Sequence, residues 1–228
     1  MRKLLLLFNI LFVVSTYGQD DPVSFSQAIA THLPKYKEKA DKAYRLRNTE
    51  RAEFLFDSLV NYCLKGSHMD DFKVRDLKDE VVALDEFKKP VYLMTNSSWV
   101  VSTDGEISAL NKLAEKYHEQ VDFVMLFWDK RSTVKDLSKQ YHKNIKIFYV
   151  DELKNNSPYV VKTMKHSLGL PTSFLLNKDK EIIDIRRKVS HPYGIEFEKS
   201  FNLNFDSFSQ AISLLLIKDS SQYSTASE

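Results

Sequence analysis

Cysteine is nearly absent from this 228-residue chain: Cys63 stands alone, so no intramolecular disulfide can form. Glycine and proline are scarce too, five and six residues beside fifteen Phe and eleven Tyr, which excludes a collagenous, low-complexity or linker-dominated chain. No self-similar period of about 20–50 residues marks a repeat array. The six histidines (His32, His68, His118, His142, His166, His191) show neither His-x-x-x-His nor His/Cys ligand spacing, so no metal and no other cofactor is expected. Charge of one sign is not in surplus, with 33 basic against 31 acidic residues. What remains, 43% hydrophobic and 28% charged, is the composition of a globular protein of one or two domains with a sizeable core.

The N-terminus carries an export pattern. Arg2 and Lys3 form a basic n-region, residues 4–14 an apolar h-region, and Ser15-Thr16-Tyr17-Gly18 places small residues at −3 and −1 of a cleavage site after Gly18. The rival reading, an uncleaved membrane anchor, requires about 20 apolar residues, and this run has 11. With no cysteine near the cleavage point a lipoprotein is not expected. The expected location is periplasmic or secreted, in a Gram-negative-type envelope, with no membrane span after cleavage. Loss of Arg2 and Lys3 leaves equal numbers of acids and bases, so no positive field favours nucleic acid. The short basic stretches 35–47 and 186–188 read as solvated faces.

Residues 24–64 carry helical periodicity interrupted at Arg47-Asn48-Thr49, which predicts two helices ended by Gly66 as a C-cap. Cys63 recurs with Phe56, Val60 and Leu64 at helical spacing and reads as a buried small hydrophobe rather than a reactive thiol. Residues 72–77 and 80–84 alternate across a polar turn and predict a β-hairpin. Residues 90–94 and 121–127 read as buried strands, separated by an amphipathic helix over 103–118 that starts with a Thr103/Glu106 capping box. The unit is the size of a βαβ crossover, so the two strands are expected to be parallel. A polar helix (132–141), a strand (145–150), a helix (157–167) and a closing hairpin (172–176, 181–187) follow. Residues 190–204 read as irregular, 205–217 as the last helix and 219–228 as a disordered tail.

Several short segments in this order resemble the thioredoxin superfamily, specifically its exported TlpA-like, redoxin-type branch: Met69-Asp70-Asp71-Phe72, the strand Lys89-Pro90-Val91-Tyr92-Leu93 leading to Ser98-Trp99, the helix from Glu106 to Leu113, and Gly169-Leu170-Pro171-Thr172-Ser173-Phe174-Leu175. The resemblance implies an α/β thioredoxin-like fold, a central mixed sheet flanked by helices with an N-terminal β-hairpin. The expected organisation is a signal peptide at 1–18, a helical N-terminal extension at 19–65, the thioredoxin-like domain at 66–218 and the tail at 219–228.

In that family Trp-Cys-x-x-Cys follows the strand, and a helix N-terminus favours the attacking thiolate. Here the motif reads Trp99-Val100-Val101-Ser102-Thr103, with Val100 and Thr103 at the two cysteine positions and Met94 where many relatives carry a buried acid. Valine has no nucleophile, and threonine at a helix start is a cap. The expectation is therefore a redox-inactive site whose scaffold binds a protein or extended peptide client. Its residues are Trp99, Val100, Val101, Trp128, Leu170 and Pro171, the last cis by the same resemblance. The alternatives are that these residues are retained for packing alone, or that the chain is a thiol-disulfide oxidoreductase or peroxidase acting through Cys63 or a partner's cysteines.

Overall fold

A computed structural model describes residues 22–102, 104–154, 159–189 and 194–225. The expected signal sequence and the Thr103 cap lie outside the described residues. The chain begins with α1 (Phe25–Arg45) and α2 (Thr49–Leu59), continued by a π-helical turn at Val60–Leu64. Each helix starts on a side-chain cap. Ser24 Oγ accepts from Gln27 N–H at 3.2 Å, and Asn48 Oδ1 accepts from Arg51 N–H at 2.9 Å. Gly66, at φ +83°, then turns the chain away in a conformation that favours glycine.

The rest is β1 (Lys73–Asp76), β2 (Val81–Ala83), β3 (Val91–Asn96), α3 (Asp104–Tyr117), β4 (Asp122–Phe127), α4 (Arg131–Leu137), β5 (Ile145–Tyr149), α5 (Tyr159–Leu168), β6 (Thr172–Leu176), β7 (Ile182–Arg187) and α6 (Phe197–Thr225). The seven strands form one mixed sheet in the order β2-β1-β5-β4-β3-β6-β7. β3, β4 and β5 run parallel, while β6 runs antiparallel to β3 and β7 antiparallel to β6.

Every residue of β3 and β4 is buried, because helices cover both sheet faces. The two-residue alternation sorts their side chains. Val91, Leu93, Val124 and Leu126 join the larger core with α1, α2 and α5, whereas Tyr92, Met94, Phe123 and Met125 pack with α3 and α6 on the other face. The helical extension belongs to the larger core: Phe25 is fully buried, its ring edge-on to Phe174 at 5.6 Å.

Two expectations at the C-terminal end are corrected. Residues 197–204 are helical rather than irregular, and the segment from 219 continues α6 to Thr225 rather than forming a disordered tail. The missed signal is aromatic. Phe197, Phe201 and Phe205 recur at i, i+4 and stack at 6.2 and 5.5 Å, and the Lys112 ammonium sits 5.6 and 5.5 Å from the Phe201 and Phe205 rings. Once such a helix exists, adding polar residues to its end needs no new nucleation. α3 approaches α6 closely at Gly105, where a Cβ would lie 2.6 Å from the Phe201 backbone nitrogen.

Candidate functional site at the strand ends

The carboxyl ends of β3 and β4 deliver the segments 97–102 and 128–129 side by side, the crevice position expected of an open α/β sheet. Trp128 N–H donates to Asn96 C=O at 3.0 Å, which continues the parallel pairing by one step. Asp129 then holds the loop: it accepts from Ser97 Oγ (3.0 Å), Ser98 N–H (2.7 Å) and Ser98 Oγ (2.5 Å). Val100 N–H closes a turn on Ser97 C=O at 3.0 Å. Pinned on this turn, Trp99 is 65% exposed and Val101 75%, with Val100 half-buried between them.

Pro171 arrives from the other side, on the strand antiparallel to β3, and the Leu170–Pro171 peptide bond is cis. The join is made by Thr95, 1% exposed and directly opposite Thr172. Its hydroxyl donates to Thr172 C=O at 2.7 Å and accepts from Thr172 N–H at 3.1 Å. Thr172 Oγ1 in turn donates to Gly169 C=O at 2.9 Å, closing the turn before the proline. Leu170 is half-buried against the larger core, and its backbone N–H and C=O have no partner among the described residues.

Pro171 and Ser102 line one small cavity of about 40 Å³, shared with Met94 and Glu106, so the loop after β3 and the proline turn face each other. Lys188 locks this arrangement. Its ammonium donates to Val101 C=O at 2.6 Å and pairs with Glu106 Oε2 at 2.6 Å, both side chains largely buried. The reading of residues 186–188 as a solvated face is thus corrected at Lys188 and at Arg186, which is paired with Asp184 at 2.8 Å, while Arg187 is exposed. Nothing local in sequence couples Lys188 to Glu106 or Val101. On the same cavity Tyr92 is driven up to about 12 by burial, against a hydrogen bond with Ser173, and is a neutral phenol at physiological pH.

Of the six residues expected at the site, Trp99, Val100, Val101, Leu170 and Pro171 lie on the two facing turns. The exception is the Trp128 side chain, 5% exposed and part of the larger core. It falls in the same alternation as Val124 and Leu126 and therefore points into the core face; only its backbone serves the site. Cys63 lies in the π-helical turn, half-buried and packed against the larger core. Among the described residues no group of three or more His, Cys, Asp or Glu is placed to hold a metal ion.

No family model matches the chain. Thiol-disulfide oxidoreductase ResA of Bacillus cereus strain ZK is 30% identical over 122 residues, 52% of this chain and 67% of that protein. The chain belongs to the thioredoxin superfamily. ResA of Bacillus thuringiensis subsp. konkukian is 31% identical over 121 residues, 52% of this chain and 66% of that protein, so this match spans just under two thirds of the relative's length. Among solved structures, a thiol:disulfide interchange protein described as DsbE, from Chlorobium tepidum, superposes with a TM-score of 0.50 at 22% identity, covering 66% of this chain and 97% of the other. That likeness concerns the fold, a redoxin-type thioredoxin domain. No helix among the described residues is long and apolar enough to cross a membrane.

Proposed function

We propose that this protein is an exported thioredoxin-superfamily member without the usual redox pair, a non-catalytic module that binds an extended peptide or protein client across the turns carrying Trp99 and Pro171. The observation that carries the reading is the pairing of exposed apolar side chains with open backbone: Trp99 and Val101 stand out from a loop pinned by Asp129 and Lys188, and beside Pro171 the Leu170 N–H and C=O have no partner among the described residues. An extended segment would gain main-chain hydrogen bonds at Leu170 and seat its alternate side chains against the indole. Exposed apolar area on a rigid support is where binding is found on soluble proteins.

Disulfide chemistry by the family's route needs a thiolate at position 100 or 103, and those positions hold valine and threonine. The name thiol-disulfide oxidoreductase, carried by the relatives, supports a second reading in which Cys63 or a client's own cysteines take part. Export through the N-terminal signal, with a periplasmic or secreted location, belongs to the same proposal.

Two experiments test it. Trp99→Ala and Val100→Asp should weaken client capture about 30-fold, the loss of a hot-spot anchor, while the circular dichroism stays that of the wild type. Capture unchanged in both variants refutes the binding site. The wild type should show no catalytic disulfide reduction; turnover that disappears in Cys63→Ser establishes the second reading instead.

A further inference from the structure

Away from the Trp99 loop, the helical extension and β7 enclose a groove of about 600 Å³, and β7 is the last strand of the sheet. The start of its outer edge is occupied, by Gly66 N–H to Ile182 C=O at 3.0 Å and Ile182 N–H to Ser67 C=O at 2.8 Å. From residue 183 to Arg187, no backbone hydrogen bond reaches that edge among the described residues. An uncovered edge is a template for another strand.

At the far end of this edge stands Arg187. Its guanidinium lies 4.0 Å over the Phe56 ring and donates to Tyr44 Oη and Tyr36 Oη, each at 3.0 Å, yet it has no carboxylate partner among the described residues. The other cations of the groove are committed, Lys65 and Arg186 to Asp184, and Lys188 to Glu106. Each tyrosine accepts from the arginine and so keeps a hydroxyl proton to give. Burial, the largest influence on Tyr36, raises its phenol despite the neighbouring guanidinium and keeps that proton in place. A planar cation fixed on an aromatic platform, with the Tyr44 hydroxyl on the groove lining beside it, is prepared for a carboxylate. Across the groove α2 contributes Glu53 and Asp57, one helical turn apart and without cationic partners among the described residues. The two walls therefore differ in sign.

We propose that this groove binds an extended peptide that adds to the free edge of β7, seats a carboxylate on Arg187 and turns a basic side chain toward Glu53 and Asp57. The site is separate from the Trp99 surface and stands or falls independently of it.

The test is selection of random acetylated hexapeptides on the immobilised full chain, read by sequencing the retained pool. The retained pool should be enriched in peptides carrying both an acid and a base. A representative peptide should lose about tenfold in affinity when its acid is replaced by the amide, and again when alternate backbone nitrogens are methylated. Arg187→Gln should abolish the acidic enrichment, and Tyr44→Phe, at an exposed position, should weaken it about threefold. Trp99→Ala should leave it intact. A pool without acidic enrichment, enrichment that survives both Arg187→Gln and Tyr44→Phe, or equal binding of the methylated peptide overturns the proposal.

Discussion

Thr95→Val exchanges a hydroxyl for a methyl group of similar size, and it reaches the joint on which the site depends. The wild-type hydroxyl is the partner of both Thr172 N–H (3.1 Å) and Thr172 C=O (2.7 Å), with Thr95 1% and Thr172 2% exposed, so no solvent replaces it. The valine variant leaves a donor and an acceptor buried without that partner, at about 1–3 kcal/mol each, offset by no longer burying the hydroxyl itself. The net loss is about 2 kcal/mol, against about 1 kcal/mol for Thr95→Ser, which keeps the oxygen and gives up a methyl group. Urea unfolding of the three proteins gives both numbers from the midpoints at a common slope. Because the affected groups follow Pro171 directly, the valine variant should also lose client capture more than the serine variant. A valine variant as stable as wild type, or less destabilised than the serine variant, would refute the assignment of the joint to this hydroxyl.

Other consequences are equally direct. Gly105→Ala places a Cβ 2.6 Å from the Phe201 backbone nitrogen and forces α3 from α6; overpacking of about 1–3 kcal/mol outweighs the gain of up to about 1 kcal/mol in helix propensity, and thermal unfolding should register the difference. Burial raises Tyr92 and Tyr141 from 10.0 to about 12, so above pH 10 the unfolded chain sheds phenolic protons that the folded protein retains; stability holds below pH 10 and falls between 10 and 12 by about 1.4 kcal/mol per unit for each phenol, which denaturant titrations at pH 9 and 11.5 will measure. Acrylamide should quench Trp99 (65% exposed) and spare Trp128 (5%), so that Trp99→Phe leaves a protected, blue-shifted emission. Asp129→Ala releases Ser97 and Ser98 from their shared acceptor, and the variant's Trp99 anisotropy should fall without loss of the fold.

The sheet was legible because its strands are covered on both faces. Continuous apolar runs such as 123–127 have one comfortable environment, and the turns between elements carry their own punctuation in Asn48, Gly66 and Gly169. The turns bearing Trp99 and Pro171 were legible through resemblance alone. What escaped the sequence depends on contacts between distant segments. Lys188 looks like a surface base until β7 brings it to Glu106 and Val101, and Arg187 acquires its meaning only when the helical extension lays Phe56 and two tyrosines against it. Trp128 was misplaced for a different reason. Its neighbours Val124 and Leu126 set the parity that sends the indole into the core, and that parity had to be followed one residue past the strand end. In α6 the three phenylalanines spaced by four were a helical signal within an otherwise polar stretch.

In the proposed function a client is held at the strand ends by surface and backbone rather than by a thiol. Site-specific photo-crosslinking in cells addresses it directly, with a photoreactive residue at Val101 and, for comparison, at Tyr62, which is 86% exposed on the helical extension. Client adducts from position 101 should stand well above those from position 62, undiminished by Cys63→Ser and by a dithiol reductant. Adducts no more abundant from 101 than from 62, or adducts that vanish with Cys63, would contradict it.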